Sequence, residues 1–518
     1  MQETIYDIIK VLKIIKALKL ISDECEDPTM EIANNKIKFE DYMLHKDILQ
    51  ALHLLGLHSP TPVQCEVIPH VLQKHDVIAQ AQTGSGKTAS YAIPLCELVD
   101  WEENKPQVMI LTPTRELAIQ VQQEITDIGK LKRIKAPALY GKQSFKGQEK
   151  DLKKKSHMVV GTPGRVLDHL ERGTLFTGHI GYLVIDEADE MFHMGFIEQV
   201  EEIMSYLPKD RVTLLFSATM PKEVVRLAEQ YLNNPVHIKI QGEELSSRNI
   251  AHKFYSCDGM HTDERIALLQ NILKVHNPDS CIIFANTRAE VEDIYDALWD
   301  DEFSCGRLHG GMEQWERTEV MRDFKKGLFR YLVATDVAAR GIDVENISLV
   351  VNYELPGDRE TYIHRIGRTG RAGQSGMAIS MLERYEQSEL KALEKLLEQT
   401  IEELTLPDEA VLLEAEEAFR AKMNEEPEEK GNRNAALKAQ IMKLQIDDGK
   451  KAKIRPVDLV GTICAIPGLE AKDIGVIQIL DWTSTVEILN GKGQIVLDAL
   501  QTKPIKAKVR KVRIAKEK

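Results

Sequence analysis

Short apolar runs recur between residues 76 and 220, and each stops abruptly at small or polar residues before a stretch of helical character. The runs are Val77-Ile78-Ala79, Val108-Met109-Ile110-Leu111, Met158-Val159-Val160, Leu183-Val184-Ile185 and Leu214-Leu215-Phe216. Such runs predict parallel strands buried on both faces, because crossover helices cover a parallel sheet on either side. An open sheet of this kind offers its ligand sites at the carboxyl ends of its strands. The strings found there are AQTGSGKT, TPTREL, GTPGR, DEAD and SAT. After residue 245 the rhythm restarts with Ile282-Ile283-Phe284, Tyr331-Leu332-Val333 and Leu349-Val350-Val351, predicting a second α/β domain without a glycine phosphate loop. Residues 236–250 are the predicted hinge.

The pattern changes twice more. Residues 383–450 are rich in Glu, Lys, Ala and Leu, with Glu425-Glu426-Pro427-Glu428-Glu429-Lys430-Gly431 in the middle, which predicts helix, flexible charged spacer and short helix. From Ile454 to about 514, apolar β-prone sequence returns, long enough for a small α+β module. At the other end, Lys10, Lys13, Lys16 and Lys19 recur among Ile and Leu as in an amphipathic helix, without the apolar block and cleavage site of a secretory signal. Three readings of that helix stay open: it packs on the fold, it meets a partner or membrane surface, or it is an extension upstream of a start at Met30. The predicted boundaries are 1–36 for this extension, 37–240 and 241–385 for the α/β domains, 386–453 for the linker and 454–518 for the C-terminal module.

Composition narrows the partners. The 518 residues carry a formal net charge of -14, so any nucleic-acid contact must come from local basic surfaces. The 7 cysteines are odd in number and form no CxxC pair, which fits a reducing cytoplasm and disfavours a disulfide framework or zinc site. No apolar stretch reaches the roughly 18 residues of a membrane span.

The chemistry lies in three strings. Ala81-Gln82-Thr83-Gly84-Ser85-Gly86-Lys87-Thr88 matches the P-loop, with Ala81 where the strict pattern has Gly. Backbone N–H groups before a helix N-terminus face phosphates, Lys87 can reach the β and γ oxygens of a nucleoside triphosphate, and Thr88 can ligate Mg²⁺. Asp186 and Glu187 close a buried strand; Asp186 is expected to hold Mg²⁺, directly or through water, and Glu187 to position and deprotonate the attacking water. Acids also suit a helix start, so the phosphate loop upstream is what turns this cluster toward hydrolysis. Arg365, Arg368 and Arg371 recur every three residues, interleaved with glycines unlike an ordinary surface helix, and one or two could reach a transferring phosphoryl group.

In this order the strings resemble the DEAD-box RNA helicases over residues 37–382. The resemblance implies two tandem RecA-like parallel-sheet domains followed by a small α+β RRM-like domain, and an RNA-stimulated ATPase using ATP and Mg²⁺. Phe39, 17 residues before Gly56, and Gln64 in Pro60-Thr61-Pro62-Val63-Gln64 resemble the adenine-reading motif, Phe39 stacking on the base and Gln64 bonding its edge. Asp343 resembles the ribose contact, Arg368 and Arg371 the arginine fingers, and Ser217 and Thr219, with Asp189 and His364, the residues coupling hydrolysis to unwinding. RNA-backbone contacts are implied for Arg115, Gly141, Thr162 and Arg165 in the first domain and for Arg288, Gly310 and Thr335 in the second. One departure stands out: the family's Gly-Gly pair reads Gly141-Lys142 here.

Residues 454–518 resemble the C-terminal RNA-binding domain of the DbpA/YxiN-type subfamily, a variant RRM. From 503 to 518 there are eight basic residues and one acid, and Lys506, Lys508, Arg510, Lys511 and Arg513 are the expected phosphate contacts. The usual stacking aromatics are absent, and Trp482, alone of its kind from 454 onward, is open between core residue and base platform. The subfamily implies a target in a hairpin of 23S-type ribosomal RNA and a role with the pre-ribosomal large subunit, away from membranes; a monomer is expected. Two other functions compete: an ATP-gated RNA clamp or general chaperone, and a DNA-translocating helicase, which Phe39, Gln64 and the basic tail disfavour.

Overall fold

The computed structural model describes residues 37–81, 84–240, 250–336, 347–370, 375–425 and 434–515. The expected N-terminal helix, Gln82, Thr83, most of the hinge, Asp343, Arg371 and the acidic spacer at 426–431 lie outside the described residues.

The first lobe holds seven strands: β1 Val77–Gln80, β2 Val108–Leu111, β3 Ala138–Leu139, β4 Met158–Gly161, β5 Tyr182–Ile185, β6 Val212–Ser217 and β7 Val236–Lys239. They form one parallel sheet in the order β3-β4-β2-β5-β6-β1-β7. Both faces are buried, so successive residues feed opposite cores. Val77, Val108, Ile110, Val160, Val184 and Leu214 pack on one side. Ile78, Met109, Leu111, Val159, Leu183, Ile185 and Leu215 pack on the other. Each such side chain contributes about 1.5–3 kcal/mol by leaving water, which is why the strands read as unbroken apolar runs.

The second lobe repeats the plan with β8 Ile250–Ser256, β9 Cys281–Phe284, β10 Cys305–Leu308, β11 Tyr331–Ala334, β12 Leu349–Asn352, β13 Gly376–Leu382 and β14 Glu402–Leu404. Its parallel order is β10-β11-β9-β12-β13-β8-β14. Two parts of the expected linker belong to this lobe. Strand β14 extends its sheet beside β8, and helix Glu409–Asn424 buries Phe419 completely in its core, 4.7 Å from the Phe303 ring. The Glu- and Lys-rich outer face of that helix hid the one aromatic that anchors it.

The third sheet is antiparallel, β16-β17-β15-β18, built from β15 Met442–Ile446, β16 Ile474–Ile479, β17 Ser484–Ile488 and β18 Val512–Ile514, with helices Pro456–Cys464 and Gly493–Leu500 closing its core. Strand β15 lies before the expected start at 454. Its Met442-Lys443-Leu444-Gln445-Ile446 alternation is a strand signal that the expected linker boundary passes over. The module sits against the first lobe: Lys130 pairs with Glu487 at 3.0 Å, Arg133 donates to the Ala471 carbonyl, and Leu437 and Leu489 join that lobe's apolar cluster. Among the described residues no helix is long and apolar enough to cross a membrane, and Cys65, Cys96, Cys257, Cys281, Cys305 and Cys464 are free thiols.

Candidate ATP and RNA sites between the lobes

The phosphate loop follows β1 and turns into helix Lys87–Leu98. Gly86 caps that helix at φ 91°, and a Cβ there would lie 2.6 Å from Gln64 Nε2, so both backbone and space demand glycine. Gln64 Nε2 donates to the Gly86 carbonyl at 3.2 Å, Gln64 Oε1 accepts from Thr61 N at 3.0 Å, and Thr61 Oγ1 donates to the Ser85 carbonyl at 2.8 Å. Phe39 is buried in the first lobe's core. In this structure Gln64 and Phe39 thus brace the loop and the lobe, a job that the adenine-reading expectation did not include. Lys87 is buried, and its Nζ has no hydrogen-bond partner among the described residues. A buried ammonium without a partner is costly, so the site suits an anion.

Opposite the loop, β5 ends at Asp186 and the backbone turns sharply. Glu187 takes φ 53° and ψ 55°, a left-handed conformation rare outside glycine, and caps helix Ala188–His193. The Asp186 carboxylate accepts from Tyr91 Oη at 2.7 Å and from Glu187 N at 3.0 Å. Burial raises the Asp186 pKa, against the pull of Lys87. Burial also pushes the Glu187 carboxyl up to about 7, with Asp186 adding to the rise and the Lys87 and Arg368 cations opposing it. Asp189 behaves differently: burial works to raise it, yet the Thr219 amide and the Lys87 and His364 charges hold it below its ordinary value. Asp189 Oδ2 accepts from Ala218 N at 3.1 Å, Thr219 N at 2.8 Å and Thr219 Oγ1 at 3.1 Å, and its own amide donates to Ser217 Oγ at 3.1 Å. The DEAD and SAT strings therefore form one hydrogen-bonded unit.

The second lobe reaches this pocket through helix Arg359–Ile366 and the residues after it. His364 Nδ1 lies 3.0 Å from Glu190 Oε1 across the cleft, and Arg368 is near enough for its charge to lower Glu187. Arg365 points the other way. Its guanidinium bonds both Asp336 oxygens at 2.6 and 2.7 Å, Asn352 Oδ1 at 3.1 Å, the Glu354 carbonyl at 2.7 Å and Asn286 Oδ1 at 2.9 Å. It ties three loops of the second lobe together and is not available to a ligand.

The expected RNA residues occupy the other half of each sheet. Arg115 follows β2, Gly141 follows β3, and Thr162 and Arg165 follow β4; Arg288 follows β9, Gly310 follows β10 and Thr335 follows β11. Gly141 lies against the Arg115 guanidinium, and Arg165 Nη1 donates to the Gln143 carbonyl and to Gln148 Oε1. Burial lowers the Arg115 pKa, Glu116 opposes the fall, and Arg317 and Arg165 add to it, so like charge gathers around one carboxylate where an anionic backbone would relieve it. Lys142 holds φ 59° where the glycine of the usual pair would sit without strain. Across the lobes, Arg115 Nη1 donates to Gln314 Oε1 at 3.3 Å, Gln314 Nε2 to Glu116 Oε1 at 3.1 Å, and Arg317 pairs with Glu116 at 2.8 Å.

In the C-terminal module Lys506, Lys508, Lys511 and Arg513 are exposed. Arg510 is buried and ion-paired with Asp448, so it holds the module together instead of meeting solvent. Trp482 is not a core residue.

The comparisons agree with this geometry. The DEAD/DEAH box helicase family model matches residues 61–227, the helicase conserved C-terminal domain 264–373 and the DbpA RNA binding domain 443–514. The chain is 52% identical over 474 residues to the ATP-dependent RNA helicase DbpA of Bacillus subtilis, covering 92% of this chain and 98% of the relative. The chain is a DEAD-box ATP-dependent RNA helicase of the DbpA type. This helicase is also 40% identical over 375 residues to the DEAD-box ATP-dependent RNA helicase CshA of Geobacillus kaustophilus, covering 72% of this chain and 80% of the relative. It resembles Saccharomyces cerevisiae Dbp5 bound to RNA and ADP BeF3, with TM-score 0.66, 30% identity, and coverage of 74% of this chain and 99% of that one. It is accordingly an RNA-stimulated ATPase with an RNA-binding C-terminal module. Sequence reasoning missed Tyr91, Glu190, Gln314 and Arg317; Asp336 and Glu116 lie inside the Ala334-Thr335-Asp336 and TPTREL strings expected to meet RNA, but their pairing with Arg365 and Arg317 was not foreseen. Glu190, directly after the DEAD string, had a signal that could have found it.

Proposed function

We propose that this helicase binds ATP in the cleft between its lobes and, while closed, distorts one RNA strand and opens a short duplex beside a folded anchor. The anchor would be a hairpin of 23S-type ribosomal RNA in the pre-ribosomal large subunit, met in the cytoplasm. The observation that carries the motor is the convergence of Lys87, Asp186, Glu187 and Arg368 on one pocket drawn from both lobes. The likeness to a chain holding RNA and ADP BeF3 supports the closed arrangement. The large-subunit target rests on the DbpA-type module.

Each residue's role follows from its surroundings. Lys87 and the amides of Ser85 and Gly86 hold the phosphates. Glu187, with its carboxyl near neutrality, takes the proton of the attacking water. Arg368 faces the charge that builds on the transferring phosphoryl group. Asp189 passes loop movement to Ser217 and Thr219. Thr88 and Asp186 fit a Mg²⁺ ion: both offer oxygen, and a cation would hold the buried Asp186 ionised against its raised pKa. When bound with ATP, Mg²⁺ neutralises phosphate charge. Gln82, Thr83, Asp343 and Arg371 keep the roles the resemblance implies.

Crosslinking the full-length protein to total cellular RNA tests the target. Enrichment of one large-subunit hairpin is expected, and labelling spread evenly over all RNAs would overturn it. The bridge from Arg115 through Gln314 and Glu116 to Arg317 favours a second reading, a clamp that stays closed for long. Strand displacement on a short duplex separates motor from clamp.

A further inference from the structure

The C-terminal module carries a second basic cluster, outside the tail. Lys450, Lys451, Lys453 and Arg455 are exposed on the short turn and loop that lead into helix Pro456–Cys464. That segment is clamped to the turn between β16 and β17: Lys450 N donates to the Leu480 carbonyl at 2.8 Å and Lys451 N to the Asp481 carbonyl at 3.0 Å. A Cβ on Gly449 would stand 2.0 Å from the Leu480 carbonyl oxygen, so the approach requires glycine. At the tip of this double loop Trp482 is 69% exposed, and Lys451 Nζ lies 3.9 Å from its ring centroid. Of the nearby acids, Asp447 and Asp448 are paired with Arg513 and Arg510 and Asp458 with Arg455, while Asp481 is exposed beside the indole, so the lysines of this loop still outnumber the open carboxylate.

The sheet offers no alternative platform. Along the alternating register its outer positions are Lys443, Gln445, Gln478, Thr485 and Glu487, none aromatic, and Glu487 is held by Lys130 of the first lobe. An indole presented on a braced loop among four cations has the two ingredients of single-strand recognition, a π-face and a phosphate-attracting rim. We propose that Trp482 is a stacking platform for one unpaired RNA base, with Lys450, Lys451, Lys453 and Arg455 taking the flanking phosphates. The inference rests on the reading of the module as an RNA anchor and adds a contact to it.

The test titrates the full-length protein with two RNAs, a blunt hairpin and the same hairpin carrying a short single-stranded tail. Trp482→Ala should weaken binding of the tailed hairpin about tenfold, and Trp482→Phe only about two- to threefold, because a phenyl ring keeps part of the stack. The tailed RNA should quench tryptophan fluorescence of the wild type, and Trp482→Phe should lose that quenching. If Trp482→Ala binds the tailed hairpin like wild type while Lys508→Glu with Lys511→Glu weakens both RNAs, the platform is wrong and the anchor stands. If none of these variants weakens either RNA, the anchor reading falls as well. Loss of a protein contact with RNA affinity untouched would also overturn the proposal.

Discussion

In the first lobe Lys87 is buried and its ammonium makes no hydrogen bond among the described residues; in the second, Arg365 is also buried and makes five hydrogen bonds. The two lobes share one sheet order, so the contrast is not one of architecture. The first lobe's strand ends hold desolvated acids, a strained Glu187 and a cation that faces those acids without a hydrogen bond among the described residues, groups whose cost a phosphate chain and its counter-ion would offset. The second lobe spends its central arginine on Asp336, Asn352 and Asn286 and, among the described residues, sends His364 and Arg368 toward the acids while Gln314 and Arg317 bridge to Arg115 and Glu116. One lobe stores the binding chemistry, and the other is a rigid frame that delivers a cation to it.

The strongest way to break this contrast is Glu187→Gln. RNA-stimulated ATP turnover should fall by about 100-fold or more, because the general base is removed. In the wild type, turnover should rise with pH through about 7, where Glu187 ionises, and the step should vanish in the variant. Stability should move the other way. Burial raises the folded pKa of Glu187 above its unfolded value, so its cost is absent at acid pH and fully present above about 7. The variant should be more stable than wild type by roughly 1–3 kcal/mol in the alkaline range and equal to it near pH 4, read from denaturant midpoints.

The buried cations supply the next pair. Arg365→Met strands Asp336 and should cost roughly 3–5 kcal/mol. Lys87→Met should abolish ATP turnover while leaving the denaturant midpoint unchanged or higher. Equal destabilisation by the two would end the distinction between them. Phe419→Ala should lower the second lobe's stability by about 3–5 kcal/mol, since it empties a fully buried site, and a change near zero would return helix Glu409–Asn424 to the status of a linker. The smallest effect belongs to Lys142→Gly. Releasing the left-handed strain gains about 1–2 kcal/mol, added backbone entropy takes back about 0.5–1, and a net gain of about 0–1.5 kcal/mol should accompany weaker RNA binding.

Local chemistry announces itself in order along the chain. The apolar runs foretold the parallel strands because a strand buried on both faces needs apolar residues at every position. The glycine loop, the acids and the SAT string were legible because each sits at a strand end, where the backbone itself aims the groups. What stayed hidden depended on partners far away in sequence. Arg365, Arg368 and Arg371 share one spacing, and only the positions of Asp336, Asn352 and Glu354 turn Arg365 inward. Arg510 looks like its basic neighbours until Asp448 is beside it, and Trp482 stays open between core residue and platform until its exposure on the turn is seen. Strand β14 is too short to show a period of its own and exists because β8 offers an open edge, whereas β15 alternates legibly but its place between β17 and β18 is decided by the fold. Composition and spacing can specify which groups a chain owns; which of them remain exposed to a ligand is an outcome of packing, because burial and pairing are properties of neighbours brought together by the fold.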